Sequence, residues 1–238
     1  MQYPDDFNEK MDFNTIITSL KERANPANIE GMARFGINPE SCLGISIPNI
    51  EAIAKKIGKD PQMASALWRS GIHEARILAI MVQNPKDFTY DDADAWINDV
   101  NSWDLCDQFM NRLLRKTPFA GQKALEWCDR EETFVKRAGF VLMATLAVHD
   151  KKAENDDFDV FFSLIKRDAA DERNFVKKAV NWALRQIGKK NLVLNRKALE
   201  TAESLLAMNS KSAKWIARDA IRELTSEKVQ ARLKMKTA

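Results

Sequence analysis

A chain of 238 residues with 45% hydrophobic and 30% charged side chains is long enough for a sizeable core and reads as soluble and globular. No apolar run approaches the roughly 18 residues of a membrane span. The acidic start Met1-Gln2-Tyr3-Pro4-Asp5-Asp6 has no apolar stretch, so a signal peptide is not expected. Three cysteines (Cys42, Cys106, Cys128) lack metal spacing and leave one over in any disulfide scheme, which points to a reducing cytoplasm. With His73 and His149 far apart, no zinc site is expected.

The net charge of +3 hides an asymmetry. Residues 171–238 carry 16 Lys/Arg against 7 Asp/Glu, whereas residues 1–170 carry 21 against 27. A basic C-terminal third suggests a polyanionic partner, nucleic acid first. The bland alternative is a solvated, lysine-rich helical surface.

In chain order, Met11–Ala24 is amphipathic through Phe13, Ile16, Ile17 and Leu20, and Asn25-Pro26 ends it. A helix follows near Asn28–Phe35, and Gly36–Ile47 reads as a loop. Pro48 suits the first turn of a helix running to about Ile57. Asp60-Pro61 starts the next, which ends near Ser70-Gly71. His73–Val82 follows, broken by Asn84-Pro85, and Asp91–Val100 leads into a helix from Trp103 toward Thr117-Pro118. Helices near 121–129, 132–148, 156–169, 173–188, 195–208, 212–224 and 226–235 complete an all-α chain of about a dozen helices, with no convincing strand. A single domain over residues 1–238 is expected.

A repeat runs through the second half. Phe134-Val135-Lys136-Arg137-Ala138 returns as Phe175-Val176-Lys177-Lys178-Ala179. Trp215-Ile216-Ala217-Arg218-Asp219-Ala220 resembles it again after nearly the same interval. A period of roughly 40 residues with two helices per unit matches the HEAT or armadillo class, a right-handed α-α superhelix. Each repeat's aromatic is expected to anchor the inner helix in the core. The bases Arg137, Lys178 and Arg218 are expected to line one face, most naturally the concave one. Trp182 shares a stripe with Lys178 and Arg185, at the edge of the apolar stripe Phe175, Val176, Ala179, Val180, Ala183 and Ile187. It is there either to bind or to pack on the preceding helix. Trp68, Trp96 and Trp127 sit on ordinary amphipathic helices and are expected in the core.

The stretch Asn101-Ser102-Trp103-Asp104-Leu105-Cys106-Asp107 carries the most chemistry. Ser102 suits an N-cap and Asp104 the first turn. Trp103 and Asp107 lie four apart, so an indole and a carboxylate share one helix face. The bland alternative is a core Trp and a surface acid beside an arginine. Spacing alone leaves open whether Asp104 or Asp107 faces the site.

The set Trp103, Asp107, Arg137 and Trp182 resembles the DNA alkylation repair glycosylases of the AlkD-like family, built from HEAT-like repeats. The similarity spans most of the chain, through Gly36-Ile37, Leu43-Gly44-Ile45 with the Pro48 helix, Ser102–Asp107, Phe134–Ala138 and, most specifically, Phe175–Arg185. The resemblance implies a concave surface holding duplex DNA. It also implies a lesion-facing cluster of Trp103, Asp107, Arg137 and Trp182, and removal of cationic N3- and N7-alkylated purines without drawing the base into a pocket. Asp107 would stabilise positive charge on the departing deoxyribose and orient a water. The two indoles would pack on the sugar, and Arg137 would fix a phosphate. Lys136, Lys177, Lys178, Arg185, Lys214 and Arg218 would grip the DNA backbone. No metal, cofactor or membrane is implied, and a monomer is expected. Competing readings are a catalytically inactive HEAT-repeat protein that recognises damaged or branched DNA, and a protein-binding scaffold.

Overall fold

The structure is a computed structural model that describes residues 11–235. The acidic stretch Met1–Asp6, where no signal peptide is expected, lies outside the described residues. The described residues form fourteen α-helices and three short 3-10 turns, with no strand. None of these helices is long and apolar enough to cross a membrane. The chain divides into two compact units, one ending at Thr89 and one starting at Tyr90.

The first unit holds α1 (Phe13–Lys21), α2 (Pro26–Arg34), α3 (Ile47–Ile57), α4 (Pro61–Arg69) and α5 (His73–Val82). Proline occupies the first turn of α2, α3 and α4, where its missing N–H costs nothing. Asp60 caps α4 by accepting from the Met63 amide. The stretch expected as a plain loop contains a 3-10 turn at Pro39–Ser41 and is held by an acid from α5. Glu74 accepts from the backbone N–H groups of Leu43 (2.7 Å), Gly44 (2.7 Å) and Ile45 (3.3 Å). Gly44 has a φ of 74°, and a Cβ there would lie 2.2 Å from the Asn25 carbonyl oxygen, so only glycine fits this bend.

The second unit holds α6 (Tyr90–Asn98), α7 (Trp103–Arg112), α8 (Ala120–Cys128), α9 (Thr133–His149), α10 (Asp159–Asp168), α11 (Asn174–Gly188), α12 (Leu192–Leu206), α13 (Lys211–Leu224) and α14 (Glu227–Met235). α7 ends earlier than expected. After Leu113 the chain tightens into a 3-10 turn at Leu114–Lys116, because Pro118 forces Thr117 into extended backbone. The predicted helix over 156–169 likewise opens with a 3-10 turn, Asp156–Phe158.

α9 is the axis of this unit. Twelve of its residues are buried, and it packs against α7, α8 and α11. α8 and α9 approach so closely that a Cβ on Gly139 would meet Cys128 Sγ at 2.6 Å and the Ala124 carbonyl oxygen at 2.9 Å. α11 packs in turn on α12 and α13. Trp68, Trp96 and Trp127 are buried, as their amphipathic stripes require. All three cysteines are buried thiols outside any disulfide, and Cys42 donates to the Asn38 carbonyl at 3.0 Å.

Candidate active site

α7 presents the site's acid. Ser102 stands at the N-cap position, but its hydroxyl is buried and caps nothing. Trp103 and Asp107 follow one turn apart, both half-buried. Leu105, Cys106, Phe109 and Met110 fill the inward face, so the indole and the carboxylate are left at its margin.

α9 supplies the partner. Arg137 donates from Nε to Asp107 Oδ1 (3.0 Å) and from Nη2 to Oδ2 (2.9 Å), the two-pronged geometry of a guanidinium on a carboxylate. Its Nη1 donates to the Phe175 carbonyl at 2.7 Å. One side chain therefore ties α7, α9 and α11 together. Trp182 lies seven residues beyond Phe175 on α11, two turns or ~10 Å along the helix and on nearly the same face. It is half-buried, at the edge of the apolar stripe where the sequence put it.

Several expected DNA contacts are spent inside the protein. Arg137 is buried, with each of its three nitrogens donating to Asp107 or the Phe175 carbonyl, so it is turned inward rather than toward a phosphate in this arrangement. Lys136 is also buried, with its ammonium on the Cys128 carbonyl (2.9 Å) and Asp168 (3.4 Å). Arg185 pairs with Glu223 and approaches Asp219 at 3.6 Å. These three placements share one cause: an acid or carbonyl on an adjacent element reaches the cation first. Lys178 and Arg218 are exposed and Lys214 is half-buried, so all three keep access to solvent. The line of Arg137, Lys178 and Arg218 therefore keeps two members at the surface.

The repeat aromatics also depart from expectation. Phe134 and Phe175 are half-buried and stack on each other, with centroids 5.4 Å apart. Trp215 is exposed, with Lys177 Nζ 5.1 Å from its ring centroid. None of the three is a core anchor. They sit within the first two turns of their helices, where neighbours cover one side only.

The family model of the DNA alkylation repair enzymes matches residues 16–224. The chain belongs to the DNA alkylation repair enzyme family. It also superimposes on a solved structure from a family of proteins related to the HEAT-like repeat DNA glycosylases and described as having affinity for branched DNA structures. That match has a TM-score of 0.75 and 21% identity, and covers 89% of this chain and 95% of the other. No curated protein matches the chain significantly. The repeat seen in the sequence is thus the HEAT-like fold.

The electrostatics at Asp107 follow from its burial and its partner. Burial pushes its carboxyl above the ordinary carboxylate range; the Arg137 guanidinium pulls the other way, and Asp104 adds to the rise. Asp107 keeps 19% of its side-chain surface exposed, against 6% for Arg137. Each carboxylate oxygen has a second lone pair, so the pair with Arg137 leaves room to accept from a water. Cys106 beside it is no nucleophile: burial drives its thiol pKa up. Among the described residues no group of three His, Cys, Asp or Glu side chains is placed to hold a metal.

The links that sequence reasoning missed run between side chains on different helices, about one repeat apart in the chain. Asn181 donates to Asp219 at 2.7 Å, and Lys189 to Glu223 at 2.5 Å. With Asp107–Arg137–Phe175 they form a chain of polar bridges across α7, α9, α11 and α13. The repeat period is the one signal that could have suggested them.

Proposed function

We propose that this chain is a monofunctional DNA glycosylase that hydrolyses the N-glycosidic bond of cationic N3- or N7-alkylated purines in duplex DNA. The observation that carries this reading is Asp107: a carboxylate oriented by Arg137, still open to solvent, one helical turn from the Trp103 indole. An alkylated purine already carries positive charge, so it leaves without a general acid. The bond from C1′ to the purine nitrogen breaks and its electron pair stays on the base, which departs neutral. Asp107 stabilises the positive charge left on the sugar. It then takes the proton of the water whose oxygen bonds to C1′. Trp103 and Trp182 pack against the deoxyribose and add cation–π attraction. Arg137 acts as a positioning residue, holding the carboxylate rather than a phosphate. DNA runs along α7, α9, α11 and α13, gripped by Lys177, Lys178, Lys214 and Arg218. The base stays outside any pocket, and no metal or cofactor takes part. Residues 1–238 work as one domain, a single chain is the active unit, and a reducing cytoplasm is its setting.

A second reading is favoured by the same pair. Arg137 covers both carboxylate oxygens and offsets much of the charge that the sugar would feel. A non-catalytic protein that recognises damaged or branched DNA would show this arrangement too, and the superimposed structure comes from a family with affinity for branched DNA. Incubation with methylated duplex DNA separates the readings. The glycosylase releases free 7-methylguanine or 3-methyladenine. Salt-sensitive binding without any free base supports the second reading and ends the first.

A further inference from the structure

Trp215 is the aromatic for which the catalytic proposal has no use. It keeps 41% of its surface exposed, although the repeat pattern assigns it to the core. Its surroundings are cationic. Lys177 of α11 lies over the ring at 5.1 Å, and Lys211 and Arg218 flank it at four residues before and three after on α13. Arg222 continues the same face and is 79% exposed. The acids of α13 are engaged: Asp219 accepts from Asn181 of α11, and Glu223 is held by Arg185 and Lys189. Asp219 also pairs with Arg222, so that cation's charge is partly offset. What α13 shows to solvent is a row of cations with one indole at its centre.

Resting on the DNA-binding reading above, we propose that Trp215 is a stacking platform for an unpaired nucleotide, and that the basic row of α13 follows the single strand carrying it. The row from Lys211 to Arg222 is ~16 Å long at 1.5 Å per residue. That matches about five nucleotides at the 3.4 Å spacing of a stacked strand. An exposed indole ringed by cations suits a base with phosphates on either side. A protein partner would need apolar neighbours around the indole, and this face offers Lys177, Lys211 and Arg218 instead. An intact duplex engages these cations through its phosphates but leaves the indole unused, because its bases present edges rather than faces.

The test measures fluorescence anisotropy of labelled DNA with the full chain. One probe is a blunt duplex; the other is the same duplex with a single-stranded arm. The arm should tighten binding. Trp215→Ala should weaken binding of the armed probe by about tenfold and change the blunt duplex by less than twofold. Trp215→Phe should restore most of the loss, and circular dichroism should show both variants folded, since the indole is at the surface. The platform is refuted if the arm adds no affinity, or if Trp215→Ala leaves both probes unchanged or weakens both equally. Failure to bind either probe refutes it together with the DNA-binding reading. Binding of both probes with no base release refutes only the glycosylase.

Discussion

Glu74 in the first unit and Asp107 in the second are both acids removed from bulk water, yet their partners differ in kind. Glu74 is 1% exposed and accepts from three consecutive backbone N–H groups, all fixed by the chain. Those donors pin the Gly44 bend, and burial seals the carboxylate from solvent, so the acid has nothing to offer outside the protein. Asp107 is clasped by one side chain, from one direction, and keeps 19% of its surface exposed. A carboxylate closed by backbone holds a loop, whereas one held by a guanidinium at a margin is oriented for something outside. Burial alone does not separate these roles; the number and rigidity of the donors does.

The largest expected effect that tests this contrast is on stability. Arg137→Ala leaves the Asp107 carboxylate mostly buried without its counter-charge and frees the Phe175 carbonyl. Denaturant unfolding should show a loss of about 3–5 kcal/mol. Next comes chemistry. Asp107→Asn keeps the shape and removes the negative charge, so base release from methylated duplex should fall about 100- to 1000-fold. Smaller again is Glu74→Gln, which replaces one acceptor oxygen with a donor facing backbone N–H groups. It should cost about 2 kcal/mol of stability and leave base release unchanged. The contrast fails if Glu74→Gln abolishes release, or if Asp107→Asn leaves release intact.

The helices were legible because their signals are local. His73–Val82 is a largely apolar run with breakers on both sides, and its observed bounds match the reading. Trp127 could be placed in the core because its helix has one apolar face. The site was only partly legible. Helical spacing put Trp103 and Asp107 together, but Arg137, on another helix, entered through resemblance. Lys136 shows why: its neighbour Arg137 is equally basic, and nothing local says that Cys128 and Asp168 will enclose it. Glu74 left no side-chain signature at all, because its partners are backbone amides in the loop before α3. The repeat aromatics misled for a related reason. Periodicity gives the face on which Phe134, Phe175 and Trp215 lie, but not how much of that face the next helix covers.

The finest distinction is a matter of protons. Burial holds the Asp107 carboxyl above its ordinary value of 3.8, Asp104 raises it further, and Arg137 opposes both. In the proposed glycosylase the carboxylate is the working form, so base release should rise with pH through a limb whose midpoint lies above that ordinary value. Arg137→Gln removes the opposing attraction, so the midpoint should move up and activity should begin at higher pH. Asp104→Asn removes a like charge, so the midpoint should move down. Glu74→Gln, acting on a loop rather than on this proton, should leave it in place. pH–rate profiles of single-turnover release from methylated duplex measure all three. A limb that ignores both Arg137 and Asp104 belongs to another group, and Asp107 would then be an orienting salt bridge like those between α11 and α13.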